Sequence, residues 1–146
     1  LTHIGAWAPR AEQLATARYL HDLPAYDAFI ADQKKKIAQR LDGFYEGFSQ
    51  FKKEGFRVNA IPPQAAIYLT VQFSLKGMQT PDGKTLQNNK DVSQYLLDEA
   101  HLAIVPFYAF GASDSSDWYR LSVGTCSAED VPRILAGIRS ALQKLK

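Results

Sequence analysis

The sequence predicts an α/β fold of the α+β kind, in which a small mixed or antiparallel sheet packs against helices and follows a long helix. Apolar residues recur at three- or four-residue intervals in a long segment before residue 55 and alternate with polar residues in short segments after it. The last segment of the chain shows a second stripe of apolar residues at helical spacing. Its 146 residues correspond to about one domain, and an apolar content of 46% is enough for a core.

Two helices are predicted before residue 55. Pro9 is suited to a first helical turn, and the good helix formers that follow it predict a short helix. Asp22 can cap the next helix, which has Pro24 in its first turn and ends at Gly55. At ~1.5 Å per residue this helix would be roughly 45 Å long, so we expect it to reach beyond its own core.

Gly43 and Gly47 lie four residues apart in the long helix and therefore on one face. They favour two interpretations equally. Another element packs closely against the backbone there, or the two glycines are weak points in an exposed helix.

Alternation predicts two strands after Gly55, at 56–60 and 66–73, separated by Pro62-Pro63. The polar segment 76–90 predicts a surface loop. Asp91 with Gln94 resembles a capping box and predicts the start of a third helix.

The remaining elements are two strands and a final helix. The strands are predicted at 102–105, closed by Pro106, and at 118–124. Ser127 or Asp130 caps the helix, which carries an apolar stripe to the end of the chain.

Composition excludes several classes of function. Seventeen basic and fifteen acidic side chains leave a net charge of +2, too little for nucleic acid to be an expected partner. No apolar run approaches the ~20 residues of a membrane span. The lone Cys126 makes no internal disulfide, which indicates a cytoplasmic protein, and the scattered histidines predict no metal site.

The segment Gly77–Thr85 comes within one residue of a phosphate-binding Gly-x4-Gly-Lys-Ser/Thr loop. The first glycine of that motif would have to stand at position 78, which is Met78. The residues after Thr85 are a poor helix start, whereas a phosphate loop needs a helix there. An ordinary hairpin loop is therefore favoured over a nucleotide site.

The most informative residue is Arg120, between Tyr119 and Leu121 in the predicted strand 118–124. A strand arginine that points inward needs a carboxylate or phosphate to meet its planar set of donors. The alternative is that Arg120 faces solvent or pairs with an internal Asp or Glu.

These residues belong to a longer pattern, Val105-Pro106-Phe107-Tyr108-Ala109-Phe110-Gly111 followed by Tyr119-Arg120-Leu121-Ser122. It resembles the Val-Pro-Gly-x-x-Phe-Gly … Arg-Leu-Ser signature of class I/II aminotransferases, the aspartate aminotransferase-like branch of fold-type I pyridoxal phosphate enzymes. Gly55-Phe56 with Ala66-Ile67-Tyr68-Leu69, and the segment from Pro9 to Gln13, are similar to further parts of that family. The resemblance covers the chain but only about the C-terminal third of a family member, and Phe107 replaces its usual glycine.

The resemblance implies roles for particular residues. Arg120 would bind the α-carboxylate of an amino acid or 2-oxo acid substrate through a two-pronged salt bridge. Gly5, Ala6 and Trp7 would approach the cofactor phosphate of a neighbouring subunit in a homodimer, with Trp7 replacing the small polar residues usual there. A structural role for Trp7 is an equal alternative.

The resemblance also implies what this chain lacks. The family's Schiff-base lysine lies upstream of the segment that matches Leu1, so we expect no catalytic residue, no bound pyridoxal phosphate and no transamination from this chain alone. We expect residues 1–22 to be an interdomain segment with a short helix and 23–146 the long helix plus the small domain, cut from an enzyme with a separate large domain. The alternative is a free-standing, non-catalytic ligand-binding or dimerisation module.

Overall fold

Four helices and four strands make up residues 8–146, the part of the chain that the computed structural model describes. Their order is α1 (Arg10–His21), α2 (Leu23–Lys53), β1 (Val58–Ala60), β2 (Tyr68–Phe73), α3 (Asn89–Ala100), β3 (Val105–Pro106), a 3₁₀ turn (Phe107–Phe110), β4 (Trp118–Ser122) and α4 (Val131–Lys144). This confirms the predicted order and adds the 3₁₀ turn. None of the described helices combines the length and apolar character that crossing a bilayer requires.

The chain divides into two compact units, one ending at Lys36 and the other comprising Ile37–Lys146. In the first unit, α1 buries none of its residues. Tyr19 of α1 instead packs edge-to-face on Tyr26 and Phe29, with ring centroids 6.3 and 6.4 Å apart. Asp22 caps α2 as predicted, because its Oδ1 accepts a hydrogen bond from the Ala25 N–H at 3.3 Å.

In the second unit, α2 contributes a buried stripe to the core, namely Leu41, Phe44, Phe48 and Phe51. The helix ends where Gly55 adopts a left-handed φ of +92°. The Phe56 N–H then donates back to the Phe51 carbonyl at 3.1 Å, so a glycine C-cap terminates the helix as predicted.

The two glycines of α2 lie against α4. A Cβ built on Gly47 would lie 2.4 Å from Leu135 Cδ1, and one on Gly43 would lie 3.2 Å from Val131 Cγ1. Of the two interpretations, close packing of another element is therefore correct.

The sheet is antiparallel, with strand order β1-β2-β4-β3. One face packs into the same core as α2, α3 and α4 and carries the buried residues Leu69, Val71, Phe73, Tyr119 and Leu121. The opposite face, called the open face below, carries the alternate residues of the two central strands, Tyr68, Thr70, Gln72, Trp118, Arg120 and Ser122.

Strands β1, β2 and β4 are each two residues shorter than predicted, and the boundaries of β3 and α3 also differ from the prediction. The strand expected at 102–105 is confined to β3, because only Val105 and Pro106 have partners on β4. Helix α3 begins at Asn89 and is capped by Asn88, whose Oδ1 accepts from the Asp91 N–H at 3.0 Å. Asp91 lies inside the first turn and accepts from the Gln87 N–H at 3.0 Å.

The part of the polar segment that precedes α3 forms a hydrogen-bonded hairpin. Gln79 bridges to Thr85, and Gln79 and Lys146 exchange two backbone hydrogen bonds of 2.9 and 3.0 Å. Leu86 is only 1% exposed and enters the core. A polar composition therefore predicted the surface position of the segment but not its buried anchor.

At the start of α4, Asp130 occupies the cap position without making a capping hydrogen bond to the helix. Its carboxylate accepts instead from the N–H and hydroxyl of Ser127, at 3.0 and 2.8 Å, and pairs with Arg133 at 2.8 Å. Both predicted capping residues thus take part in the turn that leads into the helix. The Arg133 hydrogen bond, supported by those from Ser127, lowers the pKa of Asp130 to about 2.

Candidate functional site

Arg120 lies at the middle of β4 and on the open face of the sheet. Its backbone pairs with Thr70 of β2 on one side and with Val105 of β3 on the other. Its neighbours in the strand, Tyr119 and Leu121, point into the core, so alternation along the strand directs Arg120 away from it. The side chain is half-buried nonetheless.

Two aromatic rings enclose the guanidinium of Arg120. Its Cζ lies 4.3 Å from the centroid of the Tyr68 ring and 4.3 Å from the centroid of the Phe110 ring. Both distances fall within the range of cation–π attraction. The three groups come from separate segments of the chain, Arg120 from β4, Tyr68 from β2 and Phe110 from the 3₁₀ turn.

The 3₁₀ turn after β3 brings Phe110 to this position. Gly111 closes the turn with a φ of +88°, a conformation that glycine adopts without strain, and its N–H donates to the Tyr108 carbonyl at 3.0 Å. Phe107 packs edge-to-face on Phe110, with centroids 6.3 Å apart. Phe107 thus supports the ring that packs on Arg120.

The charge of Arg120 has no internal counterion among residues 8–146. No carboxylate in this range forms an ion pair or hydrogen bond with it. The N–H groups of a guanidinium lie in its plane, and a carboxylate is the planar anion that matches two of them. Since Cζ lies 4.3 Å from each ring centroid, such an anion would bind at the N–H groups that do not face a ring.

A buried polar network holds the segment that leads into β4. The Tyr119 hydroxyl donates to Asn89 Oδ1 at 3.2 Å, and Asn89 Nδ2 donates to the carbonyls of Asp114 and Ser116 at 3.2 and 2.6 Å. Burial raises the pKa of Tyr119, so the phenol stays protonated and can donate. Asn89 could not be predicted as part of this network, because nothing in the local sequence distinguishes it from Asn88.

Asp117 anchors the same segment to β2. Its carboxylate accepts from Gln72 Nε2 at 2.8 Å and from the Ser74 hydroxyl. Burial opposes ionisation of this group, but the two hydrogen bonds outweigh it and hold the pKa of Asp117 below its ordinary value.

The other residues singled out by sequence lie elsewhere or outside the described range. Gly5, Ala6 and Trp7 lie outside the described residues. Lys84 pairs with Asp91 at 3.0 Å, and Thr85 lies in the hairpin bridge instead of at a helix start, so the geometry of a phosphate loop is not formed. The half-buried Cys126 thiol faces the Val123 carbonyl at 3.7 Å. Within residues 8–146, no group of three or more His, Cys, Asp or Glu side chains is placed to hold a metal.

Comparison with known proteins gives this arrangement a context. The family model of aminotransferase class I and II matches residues 4–138, which include every element of the sheet and the Arg120 site. The chain belongs to this aminotransferase family. The resemblance drawn from Val105–Gly111 and Tyr119–Ser122 is thereby confirmed.

Curated relatives of the chain are aminotransferases of greater length. It is 30% identical over 118 residues to an aspartate aminotransferase of Rhizobium meliloti (strain 1021), and 37% identical over 121 residues to a probable aspartate/prephenate aminotransferase of Rickettsia bellii. Each match covers 80% of this chain and 27% of the relative. The chain therefore spans about a quarter of the length of the curated relatives it matches.

Solved aminotransferase structures share the fold. The aspartate aminotransferase from Rhizobium meliloti superposes with a TM-score of 0.68 at 28% identity, over 81% of this chain and 28% of that one. An aromatic aminotransferase from Pyrococcus horikoshii gives 0.67 at 22% identity, over 90% and 31%. The predicted fold class is confirmed.

Pyridoxal phosphate, the cofactor that this family implies, requires a lysine amine next to the bound substrate. Among residues 8–146, the lysines that form a side-chain hydrogen bond or ion pair do so with residues other than Arg120, Tyr68 and Phe110, as Lys84 does with Asp91 and Lys144 with Glu99. The group that the Arg120 site presents to a ligand is a guanidinium, whose chemistry suits an anion.

Proposed function

We propose that this chain is the C-terminal small domain of a pyridoxal phosphate-dependent aminotransferase, which exchanges an amino group between an amino acid and a 2-oxo acid. Residues 1–22 would form the interdomain segment with its short helix, and 23–146 the long helix and the small domain. Membership of the family and the partial coverage of its relatives support this assignment.

Arg120 would bind the carboxylate that all substrates of this reaction share. The observation that carries this proposal is a half-buried guanidinium with no internal acid among the described residues and with rings on two sides of it. A carboxylate that enters in the plane of the guanidinium accepts two parallel N–H···O bonds, which fixes its orientation as well as its charge. The reacting carbon next to that carboxylate is thereby held in one place.

Substitution of Arg120 in the full-length enzyme tests this role. Arg120→Ala should lower kcat/KM by on the order of 100-fold or more for every substrate, because a charge-assisted bidentate pair is lost. Arg120→Lys keeps the charge but not the planar pair of N–H donors, so it should recover only part of the lost kcat/KM. Arg133→Ala is the matched control, since that side chain is 76% exposed and pairs only with Asp130 among the described residues. Unchanged kinetics for Arg120→Ala would refute the assignment.

The catalytic lysine would come from a part of the protein outside this chain. We therefore propose that residues 1–146 alone neither transaminate nor bind the cofactor covalently. Measurable turnover by this chain with added pyridoxal phosphate, an amino acid and a 2-oxo acid would contradict the proposal. Reading the coding sequence upstream of Leu1 is the complementary test, because it should encode a lysine-bearing large domain, whereas a start codon there would favour a free-standing, non-catalytic module.

The remaining partners follow from the same assignment. We propose that the small domain works with its own large domain in a cytoplasmic homodimer, and that Gly5, Ala6 and Trp7 approach the cofactor phosphate of the neighbouring subunit. Sedimentation of the full-length enzyme should give the mass of a dimer, and a monomeric active enzyme would exclude the role of Gly5, Ala6 and Trp7.

A further inference from the structure

We propose that Tyr68 and Phe110 are positioning residues, whose rings fix the orientation of the Arg120 guanidinium so that its N–H groups can donate to a planar carboxylate. The inference rests on the proposed role of Arg120 in binding the substrate carboxylate. It adds a specific task for two aromatic side chains, which act through Arg120.

The two rings reach Arg120 from opposite sides of β4. Tyr68 belongs to β2, where it pairs with Ser122 and is the diagonal neighbour of Arg120 on the open face. Phe110 belongs to the turn that follows β3, the strand on the other side of β4. Because β4 lies between β2 and β3, the guanidinium is enclosed from both directions at an equal distance of 4.3 Å.

This enclosure has two consequences for binding. Rings against the guanidinium exclude water there, so the N–H groups at its edge keep the polar contacts. The rings also restrict the rotamers of a long side chain, which lowers the entropy that must be lost when a carboxylate binds. An arginine prepared in this way favours a bidentate planar anion over water or a neutral amide.

The exposure of the rings separates this role from a role in folding. Tyr68 is 40% exposed and Phe110 is 53% exposed, whereas the core aromatics Phe48 and Phe73 are both 0% exposed. Rings this exposed bury little of their surface in the core, and substitutions at exposed positions usually change stability little. Their removal should therefore change the site more than the stability of the fold.

The test is steady-state kinetics of Tyr68→Leu and Phe110→Leu in the full-length enzyme. Each should raise KM on the order of 3- to 30-fold for all amino acid substrates alike, with kcat changed less than about twofold, because cation–π contacts act on binding of the common carboxylate. Tyr68→Phe and Phe110→Tyr retain a ring and should keep KM near that of the wild type. Tyr108→Leu is the matched control, since Tyr108 lies in the same turn, is 39% exposed and makes no cation–π contact with Arg120.

A double-mutant cycle decides whether the rings act through Arg120. In an Arg120→Ala background, Phe110→Leu should have no further effect on KM, because the group it positions is gone. Additive effects would overturn the inference, and so would an unchanged KM in both Leu variants. If Arg120→Ala lowers kcat/KM while the Leu variants do not change KM, only the positioning role fails; if Arg120→Ala itself has no effect, the proposed function fails as well. The melting temperature of each variant, expected within a few degrees of wild type, checks that the fold is kept.

Discussion

The contact of α2 with α4 can be tested by adding a single methyl group. Gly47→Ala places a Cβ 2.4 and 2.5 Å from the two terminal carbons of Leu135 and 3.0 Å from its Cγ. Non-bonded carbon atoms do not approach one another this closely, so Leu135 or the helix must move. Leu135 is half-buried and packs on the core, which limits how far it can give way.

Two terms of opposite sign set the magnitude. Overpacking a close contact costs about 1–3 kcal/mol. Replacing glycine by alanine inside a helix gains about 0.8–1.0 kcal/mol, because the unfolded chain loses conformational freedom. We expect Gly47→Ala to lower the free energy of unfolding by about 1 kcal/mol, because the end of the Leu135 side chain can move and relieve part of the overlap.

Gly137→Ala in α4 is the matched control. Its Cβ would lie 3.4 Å from the Ala100 carbonyl oxygen, an ordinary contact, so only the helix gain remains and the variant should be more stable by about 0.5–1 kcal/mol. Urea unfolding of the chain, followed by helical circular dichroism, measures both values. A Gly47→Ala variant stabilised as much as Gly137→Ala would refute the close approach of the two helices.

Three further perturbations probe the elements around the site. His101 ends α3 with a left-handed φ of 52°, so His101→Gly should raise the free energy of unfolding by about 0.5–1 kcal/mol, and a lower urea midpoint would contradict this. Asn88→Ala removes the cap on the Asp91 N–H and should cost about 1 kcal/mol in the same titration, whereas no loss would mean that the cap is redundant. The lowered pKa of Asp117 stabilises the fold above its unfolded pKa of about 3.9, and this contribution is lost as the pH falls through the folded value. Asp117→Asn should therefore lose less stability than the wild type between about pH 6 and pH 3, and an equal loss would exclude this carboxylate as a source of acid sensitivity.

Elements whose signals are local were predictable from the sequence. The long helix was predicted from the recurrence of apolar residues, and its ends from Asp22 and Gly55, because a cap and a left-handed glycine each act within one turn. The close approach at Gly47 was only one of two interpretations, since its partner Leu135 lies 88 residues further on. The faces through which two helices contact each other are determined only when the whole chain packs.

The same distinction explains the errors. Leu102 and Ile104 alternate with exposed neighbours as in a strand, but only Val105 and Pro106 find partners on β4. Burial of alternate residues and hydrogen bonding to a neighbour are separate conditions, and a sequence displays only the first. Asn89 could not be predicted for the same reason. Its buried side chain is satisfied by a hydrogen bond from the Tyr119 hydroxyl, which lies on a distant strand.

Arg120 combines both kinds of information. From the residue alone, Arg120 could bind an anion, face solvent or pair with an internal acid, because the residue type does not determine where the side chain points. Its availability depends on where the acids and rings of the rest of the chain lie, and two rings but no described carboxylate reach it. Glu54 forms an ion pair with Arg139. If an acid paired with Arg120 in the same way, the guanidinium charge would be neutralised within the chain and would not be free to bind a substrate. A half-buried charge without a counterion among the described residues costs stability, and the compensation we infer for Arg120 is a carboxylate that arrives with the substrate.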